Sequence, residues 1–176
     1  IKHGRIAMAG FLGVFVQSPG NFIGDIVSGD HAILPYRGYV AGCTPQEQWA
    51  NIPMIGKLQI LVIVGMLESY GEILAPHYTK GGLPGYYPPI KGKRPELIFN
   101  LYDPFNFFEG DSAEKKARGR LTEVNNGRLA MLGIFSLLSE QKVPGAVPFL
   151  SGKIPTLPDM EIMGPFVGTD GISHIW

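Results

Sequence analysis

Three apolar segments alternate along the chain with connections rich in proline and glycine. They cover about residues 1–17, 49–70 and 112–141, and Ser18-Pro19-Gly20 and Val143-Pro144-Gly145 stop the first and the third. At a rise of 1.5 Å per residue, the second and third segments are about 33 Å and 45 Å long as helices. Both can therefore cross a hydrocarbon core of about 30 Å.

Each of these segments carries a polar side chain well inside it: Arg5, Gln59 and Arg128. A charge within a membrane helix normally faces other helices and has a partner. Hydropathy alone also allows a soluble helical bundle with these residues on its surface. The nearly continuous apolar run at 58–67 and the proline-rich loops favour a membrane protein. At the third segment, Asp111 and Glu114 are spaced like a capping box, which predicts a helix start there.

Composition excludes several classes of protein. The 176 residues contain 15 Lys and Arg against 15 Asp and Glu, and no basic surplus for nucleic acid is present. The 24 glycines and 15 prolines follow no G-X-Y period, which excludes collagen. The single Cys43 excludes an internal disulfide and a cysteine-based metal cluster. We expect one domain over 1–176, and we expect the natural chain to begin upstream of Ile1, because no signal-peptide pattern precedes this first helix.

The basic residues are concentrated in the connection before the third segment and at the start of that segment. Eight of the 15 lie between Lys80 and Arg120. The positive-inside rule therefore predicts that this connection, the start of the third helix and the N-terminus lie on the side of insertion, with the C-terminus on the other side.

An internal repeat relates the first and third segments at an offset of 123 residues. Its five identities can allow two helix backbones to approach closely, because most are small residues. The repeat predicts a pseudo-twofold crossed pair of helices, and the alternative is a generic small-residue packing motif. The identical positions are Gly4, Arg5, Ala7, Met8 and Gly10, matching Gly127, Arg128, Ala130, Met131 and Gly133.

Charges beside the repeat need partners on another helix. Glu123 and Asn126 share one helix face, but Arg128 is about 140° around the helix from Glu123. The repeat therefore predicts an ion pair between Glu123 and Arg5. By the same symmetry, Arg128 pairs with a residue just before Ile1, which we expect to be a Glu.

The remaining polar groups suit a hard metal ion. A carboxylate neutralised by Arg keeps oxygen lone pairs that can bind Mg²⁺. His3, Asn126, Gln59 and Glu68 offer further nitrogen or oxygen donors, and none of the four has zinc-site spacing. Such single ligands suit the axial position of a metal that a macrocycle already holds.

These motifs resemble the chlorophyll-binding light-harvesting antenna family of plastids, most of all its chlorophyll a/c, fucoxanthin-type members. IKHGRIAMAG and EVNNGRLAMLG look like the family's paired motifs, E-x-x-[HN]-x-R-x-A-M. GKLQILVIVGMLESYGE is similar to the family's middle helix. The Tyr102–Phe107 segment YDPFNF resembles the loop that seats a carotenoid end group, and Asp103 and Phe105 are its candidate contacts.

The resemblance implies an all-α membrane protein with three transmembrane helices, the first and third forming the crossed pair. It also implies that Met8 and Met131 line the groove of the central carotenoids, although both could simply pack at the crossing. The late ligand of the third helix falls on Glu140 or its neighbour Gln141, and Gln17 is the repeat equivalent of Glu140. His31, His77 and His174 lie among turn residues, where solvation is the commoner role. The axial ligands that the family implies are His3, Gln59, Glu68, Glu123 and Asn126.

The function implied is light harvesting, without catalysis. The expected cofactors are chlorophyll a, chlorophyll c, a fucoxanthin-type or related carotenoid and a structural lipid. The expected partners are a photosystem I or II core and neighbouring antenna subunits in the thylakoid membrane. Two alternatives stay open: a photoprotective or assembly relative with few pigments, and a haem or di-metal redox bundle that uses His3, Glu68 and Glu123.

Overall fold

The computed structural model describes residues 1–17, 36–73, 76–87, 90–91, 98–99, 105, 107 and 110–157. Helices dominate this part of the chain, which confirms the prediction of a mostly helical protein. One 3₁₀ turn, Tyr78–Lys80, and two antiparallel two-residue strands, β1 (Ile90–Lys91) and β2 (Ile98–Phe99), lie between the last two helices. Within the described residues the α-helices are α1 (Lys2–Gln17), α2 (Pro45–Asn51), α3 (Met54–Ile73) and α4 (Ala113–Lys142).

Helices α1 and α4 pack against each other at a pair of glycines. Gly4 and Gly127 are both buried, and their backbones touch. A Cβ atom on Gly4 would lie 3.0 Å from the Cα atom of Gly127, and one on Gly127 would lie 2.9 Å from the Cα atom of Gly4. A larger residue at either position would therefore push the two backbones apart.

The same pair of helices makes a reciprocal contact further along. A Cβ atom on Gly10 would lie 3.8 Å from Cδ1 of Ile134, and one on Gly133 would lie 2.8 Å from the ring of Phe11. Phe11 and Ile134 occupy equivalent places in the 123-residue repeat, as do the two glycines. Among the described residues, the buried apolar side chains are Ala130 and Leu137, both on α4.

The second predicted helix is two helices in the structure. The prediction of a single helix from about residue 49 was wrong at its start, because Pro53 has no N–H to donate and Ile52 adopts an extended conformation before it. Helix α2 has its own start at Thr44, whose side chain accepts a hydrogen bond from the Glu47 N–H. Glu47 accepts in return from the Thr44 N–H and hydroxyl, and these hydrogen bonds lower the pKa of Glu47.

Helix α4 begins at a different cap from the one expected. Ser112 is the N-cap, and its hydroxyl accepts a hydrogen bond from the Lys115 N–H at 3.3 Å. The predicted capping box from Asp111 to Glu114 was therefore wrong by one residue. Asp111 instead accepts from Nζ of Lys115 at 2.7 Å.

Helix α3 stands apart from the α1–α4 pair. No Cα atom of α3 lies within 8 Å of a Cα atom in α1 or α4. Its middle is exposed on all sides, and Ile60, Val62 and Val64 are 41%, 59% and 50% exposed. In the part of the chain that the structure describes, it belongs to the one stretch, Met54–Lys80, long and apolar enough to cross a membrane.

Candidate functional site

An ion pair joins α1 and α4 beside the glycine contact. Arg5 donates through Nε to Oε1 of Glu123, across 118 residues of sequence. The two side chains are 25% and 31% exposed, so each is more than half covered by protein. The pair neutralises the Glu123 carboxylate, whose other lone pairs remain available to a cation.

His3 and Asn126 precede Gly4 and Gly127 by one residue, so they flank the helix contact as equivalents in the repeat. Both side chains are exposed. Neither side chain is enclosed by the helix pair. A macrocycle that bound to either one would need such an open side for its approach.

Arg128, the repeat equivalent of Arg5, is exposed. Among the described residues, no carboxylate pairs with it. Its pairing with a residue before Ile1 stays a prediction.

Gln59 and Glu68, the two candidate ligands on α3, are both exposed. Nine residues separate them, which is about 13.5 Å along the axis and half a turn around it. The structure therefore does not bring these two side chains together. If both hold pigments, the pigments lie on opposite faces of α3.

The sequence did not predict the polar cluster at the end of α3. Nζ of Lys2, in the first turn of α1, donates to Glu68 and also lies 3.3 Å from Oε1 of Glu72. Nε2 of His77 lies 2.7 Å from the other oxygen of Glu72, and its Nδ1 lies 2.7 Å from Oγ1 of Thr79. The four-residue spacing of Glu68 and Glu72 was the available signal, since it places two carboxylates on one helix face. Both ring nitrogens of His77 are engaged within the protein.

The other end of α3 is held by Lys57, which is fully buried. Its Nζ donates to the carbonyl oxygen of Ala50 at 3.3 Å and lies 5.7 Å from the ring centroid of Trp49. A buried lysine in the first turn of α3 thus fastens this helix to α2.

Glu140 and Gln141 differ from the other candidate ligands because both are buried. Glu140 is 1% exposed, and its two carboxylate oxygens accept backbone N–H bonds from Gly145 at 2.9 Å and Val147 at 2.7 Å. Gln141 is 3% exposed, and its side-chain oxygen accepts from Nε2 of Gln46 at 2.7 Å. This geometry weighs against a ligand role, because a planar macrocycle has no open approach to either side chain.

The candidate carotenoid contacts are only partly described. Met131 is 38% exposed on α4, and Met8 is half-buried on α1. Phe105 is 76% exposed, and its ring centroid lies 5.6 Å from that of Phe107. Asp103, His31 and His174 lie outside the described residues.

The donor set fits a macrocyclic magnesium better than a polynuclear metal centre. Among the described residues, no three His, Cys, Asp or Glu side chains form a group that could hold a metal ion. Axial ligation needs only one nitrogen or oxygen donor per metal, because the macrocycle supplies the rest. His3, Asn126, Gln59 and Glu68 each offer such a donor on an exposed surface.

Comparison with known proteins relates this chain to a family. A family model described as chlorophyll A-B binding protein matches residues 1–142. A fucoxanthin-chlorophyll a-c binding protein of Trieres chinensis, described as chloroplastic, is 31% identical over 150 residues, which is 85% of this chain and 66% of that protein. The corresponding protein B of Phaeodactylum tricornutum is 30% identical over 146 residues, 81% of this chain and 62% of its own length. Protein A of Macrocystis pyrifera is 28% identical over 144 residues, which is 81% of this chain and 57% of that protein.

This chain therefore spans less than two thirds of the length of these relatives. The family match covers α1, α3 and α4 and confirms the resemblance found in the sequence. The chain belongs to the chlorophyll A-B binding protein family.

Proposed function

We propose that this protein is a light-harvesting antenna in the thylakoid membrane of a plastid. It binds chlorophyll a, chlorophyll c and a fucoxanthin-type carotenoid, and it passes excitation energy to a photosystem I or II core through neighbouring antenna subunits. The observation that carries this proposal is the α1–α4 pair, in which the Arg5–Glu123 ion pair and accessible donors surround a glycine contact. The relatives' names, which include fucoxanthin and chlorophyll a-c, support the choice of pigments.

The protein crosses the membrane three times, and α1 and α4 form a pseudo-twofold crossed pair. The reciprocal contacts of Gly10 with Ile134 and of Gly133 with Phe11 support the twofold relation, because they exchange equivalent residues of the repeat. The length and apolar surface of α3 support its place as the middle span.

The chlorophylls absorb light and carry the excitation, and the chain's own residues decide where they sit. Five side chains would hold the chlorophylls, each through one nitrogen or oxygen donor to the magnesium: His3, Asn126, Glu123, Gln59 and Glu68. Arg5 neutralises Glu123 so that a carboxylate can stand in an apolar region. Met8, Met131 and the loop of Asp103 and Phe105 contact carotenoids. The protein performs no chemical turnover.

Pigment extraction from the purified native protein tests this proposal. We expect an absorption spectrum with chlorophyll a and c bands and a xanthophyll, with several chlorophylls per chain. One or two chlorophylls per chain would favour an assembly or photoprotective relative. Haem or iron without chlorin bands would contradict the antenna function.

A further inference from the structure

The Glu68 carboxylate lies at the end of α3 that faces the start of α1, and Lys2 reaches it across the gap between the helices. Since no Cα atom of α3 lies within 8 Å of one in α1, this ion pair spans a space that the backbones leave open. The pair joins residues 66 apart in sequence, so it is a tertiary contact.

Lys2 neutralises Glu68 more than Glu72, because Glu72 has a second partner. The Thr79 N–H donates to Nδ1 of His77 at 3.3 Å, so Nδ1 is the acceptor of this ring. Nε2 then carries the proton and donates to Glu72 at 2.7 Å. The histidine thereby stabilises Glu72, and the ammonium of Lys2 is left chiefly to Glu68.

Among the described residues, the side of α3 that carries Glu68 is open. A Cβ atom on Gly65, one turn earlier, would meet no atom of these residues within 4 Å. Leu61 and Val64 are 40% and 50% exposed on the two preceding turns. A flat apolar macrocycle can rest against these residues while its metal faces the carboxylate.

We propose that Lys2 is a positioning residue for a chlorophyll held by Glu68. Its ammonium neutralises the carboxylate and holds one oxygen, and the remaining lone pairs of Glu68 would hold the magnesium. Lys2 would act on Glu68 of α3 as Arg5 acts on Glu123 of α4, since each base on α1 pairs with a carboxylate of another helix. Without the lysine, Glu68 is an uncompensated charge beside an apolar ring, which is costly. This inference rests on the proposed antenna function.

Three variants test it in chlorophyll-reconstituted full-length chain: Lys2→Met, Glu68→Gln and the double variant. We expect Lys2→Met to lose the one chlorophyll that Glu68 holds, because a bare carboxylate replaces a neutralised one. Glu68→Gln retains that chlorophyll through its neutral amide oxygen, which needs no lysine. The double variant therefore regains the chlorophyll that Lys2→Met loses. The control is Lys115→Met, which removes an exposed lysine paired to Asp111. We expect this variant to keep every chlorophyll.

The readouts are chlorophylls per chain, the difference absorption spectrum and the melting temperature. A Lys2→Met protein with every chlorophyll would overturn the inference. A double variant as depleted as Lys2→Met, or one that fails to assemble, would also overturn it, because Lys2 would then act only as a tether between α1 and α3. A wild-type chain that binds no chlorophyll would instead overturn the proposed function itself.

Discussion

Three of the described carboxylates differ in what neutralises them. Glu123 and Glu68 are partly exposed and paired with Arg5 and Lys2 on another helix. Glu140 is buried and bonded to two backbone N–H groups. A carboxylate of the first kind keeps an open side for a metal, whereas one of the second kind stabilises the local fold. The same residue type therefore serves different purposes at Glu123 and at Glu140 of α4.

Arg5→Leu removes the partner of Glu123. We expect a loss of about 1–3 kcal/mol of stability, less than for a fully buried pair because both side chains are partly exposed. The yield of pigment-loaded protein falls accordingly, and reconstitution yield and melting temperature measure the effect. Arg120→Leu, an exposed arginine on α4, is the matched control and leaves the yield unchanged. Normal assembly of Arg5→Leu would show that the ion pair is dispensable.

His3→Phe removes a nitrogen donor and keeps a ring of similar size. We expect one chlorophyll fewer per chain, as pigment extraction would measure, because Phe has no atom that can bind magnesium. His3→Asn is the control, since Asn126 occupies the equivalent place on α4. That variant retains the chlorophyll. An unchanged stoichiometry in His3→Phe would remove His3 from the set of ligands.

Glu140→Gln replaces one of two accepting oxygens with an NH₂ group that faces a backbone N–H. We expect a destabilisation of about 1–3 kcal/mol with an unchanged chlorophyll count. Thermal melting and pigment extraction separate the two effects, and Glu114→Gln in the exposed first turn of α4 is the control. A lost chlorophyll with an unchanged melting temperature would restore Glu140 as a pigment ligand.

At the scale of the elements, the pairs of helices differ in what holds them together. Helices α1 and α4 touch through backbone at Gly4 and Gly127. In the described part of the chain, Lys57 connects the start of α3 to α2, Glu68 connects its later turns to Lys2, and the Tyr87 hydroxyl donates to the carbonyl oxygen of Leu67. Its exposed middle fits a helix that packs against pigment and lipid more than against protein.

Gly127→Ala tests the helix contact directly. Its methyl group would lie 2.9 Å from the Cα atom of Gly4, so the backbones must separate, at a cost of about 1–3 kcal/mol. Gly119→Ala on the same helix is the control, because no atom of the described residues lies within 4 Å of its Cβ position. That change raises stability by up to about 1 kcal/mol through helix propensity. Equal melting temperatures for the two variants would contradict close packing at Gly4.

At the scale of the whole molecule, the paired ends of the helices agree with the charge distribution. The start of α1 and the end of α3 lie together through Lys2 and Glu68. Eight of the 15 basic residues lie in the connection that follows α3 and in the first turns of α4. A three-span arrangement therefore places this connection and the start of α1 on the side of insertion, and Cys43 on the other side.

Labelling of Cys43 with a membrane-impermeant maleimide tests this arrangement in intact thylakoids. We expect labelling only after the membranes are opened. Burial raises the pKa of the Cys43 thiol, so the reaction needs an alkaline buffer. The control is Lys115→Cys in a Cys43→Ser background, which is labelled from the stromal side of intact membranes. Labelling of both sites from one side would contradict an odd number of spans between residues 43 and 115.

The chain's local patterns were enough to place the main helices and the repeat. Val143-Pro144-Gly145 marked where α4 stops, because proline and glycine act on their own backbone. The repeat indicated that α1 and α4 belong together and that Arg5 needs Glu123. The break at Pro53 was visible in the sequence but was outweighed by the apolar pattern around it.

The sequence by itself determined which segments are helical, which family the motifs belong to and which polar residues need partners. Only the tertiary structure decided which partner each one takes. Lys2 donates to Glu68, and Gln46 donates to Gln141. Glu140 accepts from the backbone N–H of Gly145. The periodicity of the sequence predicts none of these three hydrogen bonds. Hydrogen bonds and ion pairs depend on distances between helices. Those distances follow from backbone packing at Gly4 and Gly127, which exists only once the chain has folded.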